Sequence, residues 1–163
     1  ILYHYHDQTG KTHDNRDLWY VEVDAPEPNQ FTDTPTFKEA MPRFSPDGKY
    51  VVYGADESGT WEAYIKPFPM GERIKISSGG GVYPRWNGAG TEIYFWSGND
   101  LVAVSVTDTP SLKVGEPAVL FSGEQVGMGP RAVAGFNTIY EVAPDGQKFI
   151  VVQNSLLPRG GGQ

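Results

Sequence analysis

The sequence predicts an all-β fold: a partial β-propeller of antiparallel four-stranded blades, with three to four blades in this chain. A repeated strand–turn–strand unit is the first sign. It reads Arg43-Phe44-Ser45-Pro46-Asp47-Gly48-Lys49-Tyr50-Val51-Val52-Tyr53, and returns at Arg85-Trp86-Asn87-Gly88-Ala89-Gly90-Thr91-Glu92-Ile93-Tyr94-Phe95. A third copy runs from Val142-Ala143-Pro144-Asp145-Gly146 to Val152. The first two lie 42 residues apart (43 to 85), and units of roughly 40–45 residues are the signature of propeller blades. Composition is the second sign: 20 glycines, 13 prolines and 13% aromatics in 163 residues suit many turns and short strands. The third is that no stretch of useful length carries the 3.6-residue apolar period of a helix.

Within the repeat, Pro46 presets φ for a turn, Asp47 bonds nearby amides and Gly48 tolerates positive φ. The β-branched and aromatic run that follows wants a packed, pleated surface. It is apolar on both faces, as in a strand whose sheet is covered on both sides.

The first blade segment spans about 1–32, with a strand-like opening over residues 1–6, a polar stretch at 7–16, and a strand from Asp17 to Val23. A short strand near Gln30–Thr32 closes it. The second segment, about 41–77, holds strands at Pro42–Ser45, Tyr50–Ala55, Trp61–Phe68 and Arg73–Ser77. The third, about 83–122, repeats them at Tyr83–Trp86, Glu92–Trp96, Leu101–Val106 and Ala118–Phe121. Residues 122–138 read as a long loop. The fourth segment, about 138–153, supplies two strands. The partial propeller therefore occupies 1–155, and 156–163 is a flexible tail.

A net charge of −7 disfavours a nucleic-acid partner. No apolar run approaches the about 18 residues needed for a membrane span, so membrane insertion by this chain is not expected. The absence of cysteine removes disulfides, thiolate catalysis and cysteine-ligated zinc. The chain opens on Ile1 in mid-strand, which suggests a fragment or a processed product.

The order of the motifs extends the reading. Phe44-Ser45-Pro46-Asp47-Gly48 followed by Lys49-Tyr50-Val51-Val52-Tyr53 resembles the WD-like β-propeller repeat of the TolB type. Asp7 to Trp19, the F-S-P-D-G turn, Glu57-Ser58-Gly59, Tyr64 to Pro69, Ser77 to Trp86, Leu101-Val102-Ala103-Val104 and Ala143 to Phe149 follow one another along nearly the whole chain. That series resembles the C-terminal propeller region of bacterial membrane-anchored serine/threonine kinases. Asn87-Gly88-Ala89-Gly90 departs from it, since the family places a turn aspartate before the glycine. The resemblance implies a binding, sensing or interaction module, extracytoplasmic, at the periplasm or cell surface. It implies no kinase activity, because no kinase domain is present.

Most catalytic chemistries are excluded by the residues themselves. Gly10-Lys11-Thr12 is no phosphate loop, because Tyr5 stands where a glycine is needed and no helix follows. His4 and His6 share one strand face, and with His13 and Asp14 could grip a metal. Two ordinary histidines in an edge-like strand is the preferred reading, and no metal or cofactor is expected. There is no G-x-S-x-G elbow, Ser45 serves its turn, and acids such as Glu39, Asp56 and Glu57 are not placed across a cleft. No enzyme activity is expected. Gly79-Gly80-Gly81 reads as a flexible link between blades. Tyr53, Trp61, Tyr64, Trp86, Tyr94, Phe95 and Trp96 read as inter-blade core.

Arg43 and Arg85 hold equivalent places on innermost strands, which line the channel of a propeller. They are expected to bond backbone carbonyls between blades, with anion capture as the alternative. Tyr83 and His13 join them as candidate channel or interaction residues. Three to four blades are too few to close a ring, so the partner is expected to be a protein or the missing blades. Another copy of the chain, paired edge to edge, would also serve. Ile1, Leu2, Tyr3, Phe149 and Val151 are the candidate assembly edge. Two rival functions are the gating propeller of a prolyl-oligopeptidase-like serine peptidase, and a structural subunit assembling through open blade edges.

Overall fold

The computed structural model describes residues 2–6, 16–34, 36–126 and 140–151. They form four antiparallel sheets in chain order. The first contains β1 (Leu2–His6), β2 (Arg16–Tyr20) and β3 (Asn29–Gln30). The second contains β4 (Glu39–Phe44), β5 (Tyr50–Ala55), β6 (Glu62–Pro67) and β7 (Ile74–Lys75). β8 (Val82–Trp86), β9 (Glu92–Ser97), β10 (Asp100–Thr107), β11 (Lys113–Val114) and β12 (Ala118–Ser122) make the third. The fourth is the pair β13 (Tyr140–Val142) and β14 (Phe149–Val151). Among the described residues the only helix is a 3₁₀ turn, Gly123–Val126, inside the stretch expected to be loop.

The turns that join first to second strands are one turn used three times. Ser45 and Tyr50, Asn87 and Glu92, and Ala143 and Lys148 each close their hairpin through the first residue's amide. Gly48, Gly90 and Gly146 donate to the carbonyls of Ser45, Asn87 and Ala143, with φ of 74°, 71° and 71°. Positive φ costs a glycine little. Asp47 Oδ1 accepts from the Lys49 amide at 3.1 Å, and Asp145 Oδ1 from Gln147 at 2.9 Å. In the middle hairpin, where the aspartate is missing, Asn87 Oδ1 takes over and accepts from Thr91 and Glu92 at 2.9 and 3.2 Å.

The third sheet differs from expectation by one strand. β10 is eight residues long: β12 pairs its start, with Leu120 as the extra residue where the register shifts, and β11 pairs its end. β7 is shorter than expected, although Ile76 continues it by donating to the Ala63 carbonyl.

Each complete first strand carries a bulge. Register shifts between Ala40 and Arg43 in β4, and between Val82 and Arg85 in β8. The left-handed residue is Met41 (φ 62°) in one and Tyr83 (φ 55°) in the other. Such φ costs a bulky residue about 1–2 kcal/mol. A proline follows each, and proline is at home in a bulge because it has no ladder N–H to lose. Neighbouring sheets satisfy the groups that the bulge in β8 frees. The Tyr83 amide donates to Met41 Sδ at 3.3 Å, and the Tyr83 carbonyl accepts from the Tyr140 hydroxyl at 2.8 Å. The bulge thus ties sheet two, sheet three and sheet four together. Gly54, opposite Ala40, leaves room for it, since a Cβ there would lie 2.5 Å from Met41 Cε.

Apolar side chains fill the spaces between consecutive sheets. Leu18 and Phe31 meet Val51, Tyr53 and Tyr64 between sheets one and two. Val52, Ile65, Trp86 and Phe95 are among those packed between sheets two and three. Met41, Tyr83, Trp96 and Tyr140 join sheets two, three and four. Trp86, Tyr94, Phe95 and Trp96 are all buried, as an inter-sheet core requires.

Candidate functional site

The bulges decide where the two arginines point. Arg43 and Arg85 each follow the bulge proline, on β4 and β8, and these strands pack against one another. Each Nη1 donates to the carbonyl of the preceding proline, at 2.7 Å for Arg43 to Pro42 and 2.9 Å for Arg85 to Pro84. The carbonyls reached lie in the arginine's own strand rather than in a neighbouring sheet. Arg43 is half-buried, whereas Arg85 is only 3% exposed.

Sheet four completes the surroundings. The Arg85 guanidinium lies over the Tyr140 ring at 5.5 Å, a cation–π contact. Glu141 Oε2 stands 3.7 Å from Arg85 Nε, close enough for ion pairing but too far for a hydrogen bond. Among the described residues, Arg85 Nε is buried with no hydrogen-bond partner. Burial first, and the like charge of Arg43 second, pull the Arg85 pKa below the ordinary arginine value. The Tyr140 hydroxyl is held neutral by burial and bonds the carbonyls of Tyr83 and Tyr94 at 2.8 and 3.0 Å. Tyr83 itself is buried, at the junction of sheets.

Sequence reasoning did not single out a second buried polar cluster between sheets one and two. Glu39 is fully buried on β4. Its Oε2 accepts from Thr32 Oγ1, which in turn accepts from the Leu18 amide at 2.8 Å, while Glu39 Oε1 has no hydrogen-bond partner among the described residues. Burial is the main reason that its pKa is pushed up from 4.5 to about 7. A related grip recurs at the start of β2 and β6. Asp17 Oδ1 accepts from the amide and hydroxyl of Thr34 at 3.0 and 3.1 Å. Glu62 accepts from Ser77 Oγ and from the amides of Gly79 and Gly80 at 3.1 and 3.2 Å. The Gly79–Gly81 stretch, expected as a flexible link, is therefore held in place by a buried carboxylate. The sequence signal was an acid near the start of a strand and a Thr or Ser shortly beyond the next strand, at Asp17 and Thr34 and again at Glu62 and Ser77.

A groove of about 580 Å³ runs between the Ser45–Tyr50 turn and residues 106–109. Its carboxylates are engaged: Lys49 Nζ reaches Asp47 at 3.2 Å and Asp108 at 3.1 Å. Among the described residues no three His, Cys, Asp or Glu side chains gather to hold a metal. His13 and Ile1 lie outside the described residues, as do the side chains of His4, His6, Leu2 and Tyr3. Phe149 and Val151 pack inward on the core, Phe149 edge-on to Tyr94 at 5.1 Å. Alternation turns Ile150 outward instead, 78% exposed.

No family model and no curated protein matches the chain. Among solved structures it is similar to an Agrobacterium tumefaciens protein assigned as TolB, at a TM-score of 0.56 and 14% identity, over 74% of this chain. The chain spans 44% of that protein's length. It is also similar to the tricorn protease, at a TM-score of 0.45 and 17% identity, over 62% of this chain and 10% of that one. The TolB likeness shows the fold, a TolB-like β-propeller arrangement of antiparallel sheets.

Proposed function

We propose that this chain forms successive blades of a β-propeller and serves as a non-catalytic binding or sensing module of a larger bacterial protein. The observation that carries the reading is the repeat of sheet two in sheet three. Bulge, proline, arginine and hairpin recur in register, at Met41-Pro42-Arg43 and Tyr83-Pro84-Arg85. On this reading sheet one is a blade without its innermost strand, sheets two and three are whole, and sheet four is the inner half of a blade. Ile150 then lies on the face where another blade would pack, and an apolar side chain suits that place. Further chain from the same protein, or a second copy, completes the ring.

Attachment to a membrane-anchored kinase, outside the cytoplasm, belongs to the same proposal and rests on the order of the sequence motifs. Finding an upstream kinase catalytic loop in the parent gene would support it. A downstream G-x-S-x-G segment would turn the reading towards the gating propeller of a peptidase. Sedimentation of the chain at micromolar concentration, with hydrogen exchange on β1 and β14, tests incompleteness. Self-association or fast exchange along β14 is expected. A compact monomer with both strands protected would refute it. Hydrolysis of ester, peptide or phosphate substrates, lost on a single substitution, would refute the non-catalytic role.

A further inference from the structure

We propose that Arg43 and Arg85 together form an oxyanion-binding site, for a carboxylate or phosphate group, where β4, β8 and β13 meet. Each guanidinium offers five N–H donors in a planar fork. Among the described residues each makes a single hydrogen bond, to its own strand's proline carbonyl. A charge as deeply buried as that of Arg85 is costly unless paired and hydrogen-bonded. Its Nε has no acceptor, and the nearest carboxylate, Glu141, is 62% exposed and stands 3.7 Å away. Arg43 adds a second positive charge close enough to repel it.

An oxyanion seated between the two forks relieves both problems. It accepts from the unused donors and neutralises the like charges, and fork-to-oxyanion pairing is the strong, geometrically specific kind. Each arginine is already anchored. Each follows a bulge, the proline carbonyls fix one arm of each fork, and the Tyr140 ring supports the Arg85 guanidinium. Preorganisation of this sort lowers the cost of binding. Glu141 competes for the same guanidinium, and the chain's −7 charge opposes anions at long range, so binding is expected to be salt-sensitive. Among the described residues the groups in contact with the two guanidiniums come from β4, β8 and β13, so anion capture is expected without ring closure.

The test follows the Nε–H resonance of Arg85 while sodium acetate or sodium phosphate is titrated into the 163-residue chain, with ionic strength held constant by chloride. A saturable shift is expected, and the anion that binds more tightly tells carboxylate from phosphate. Arg43→Gln should weaken binding by roughly tenfold or more, the loss of one charge-assisted hydrogen-bonding partner. Glu141→Gln should tighten it several-fold by removing the competitor. An Arg85 resonance that neither anion moves, or an affinity indifferent to Arg43→Gln, overturns the proposal. If Arg43→Gln melts too low to titrate, the exposed Glu141→Gln decides: tighter binding supports the site and unchanged binding overturns it.

Discussion

Replacing Glu39 by glutamine should abolish a pH dependence that the wild-type fold carries. Glu39 is fully buried, and its carboxyl pKa is raised from 4.5 to about 7, chiefly by burial. Below pH 4.5 the group is neutral in both the folded and the unfolded chain, so it imposes no charge penalty. Between 4.5 and 7 the unfolded chain ionises first, and folding must then return a proton to Glu39 or bury its charge. Stability is therefore lost as pH rises through this window, and the loss is complete above about pH 7. A shift of this size corresponds to about 3 kcal/mol, at about 1.4 kcal/mol per pH unit. The glutamine side chain keeps a group that Thr32 Oγ1 can bond and does not titrate. Urea unfolding of both proteins at about pH 4.5, 6 and 8 isolates the effect, because other titrating groups cancel in the difference. The Glu39→Gln variant should gain about 3 kcal/mol on the wild type across that range. Parallel stability curves would show that Glu39 is hydrated or otherwise paired, and the reasoning would fail.

Gly48 and Gly146 share one turn and almost one φ, yet should respond differently to asparagine, which tolerates that conformation. Gly48 has nothing within 4 Å of a new Cβ, so Gly48→Asn should cost about 1 kcal/mol or less, while Gly48→Val should cost about 1–3. At Gly146 the Cβ would lie 2.4 Å from the Tyr94 hydroxyl, so Gly146→Asn should cost at least about 1 kcal/mol more than Gly48→Asn by chemical denaturation. Tyr140→Phe removes the donor that satisfies the Tyr83 and Tyr94 carbonyls and should cost about 1–3 kcal/mol. A thermal midpoint equal to that of the wild type would show that those carbonyls find another donor.

The hairpins were legible in the sequence because turn chemistry is local. Pro46, Asp47 and Gly48 specify their φ and their nearest hydrogen bonds without help from the rest of the chain. Even the departure at Asn87 is local, since its side chain reaches the amides equivalent to those that Asp47 and Ser45 hold in the hairpin of sheet two. Second strands were legible because an apolar run on both faces has few other homes. The extra strand β11 was not, because β12 covers only the first half of β10 and leaves Val106 and Thr107 to another partner. Sequence placed Arg43 and Arg85 at equivalent positions. Only the tertiary structure set them beside each other, left Arg85 Nε without an acceptor, and made Glu141 rather than a backbone carbonyl its nearest outside partner. The same holds for Glu39, one acid among many along the chain, which burial between two sheets turns into a titrating group near neutrality. The division has a physical cause. Turn and strand preferences depend on residues a few positions apart. Burial, charge repulsion and unmet hydrogen bonds depend on strands far apart in sequence being packed together, as Tyr83 and Met41 are across 42 positions.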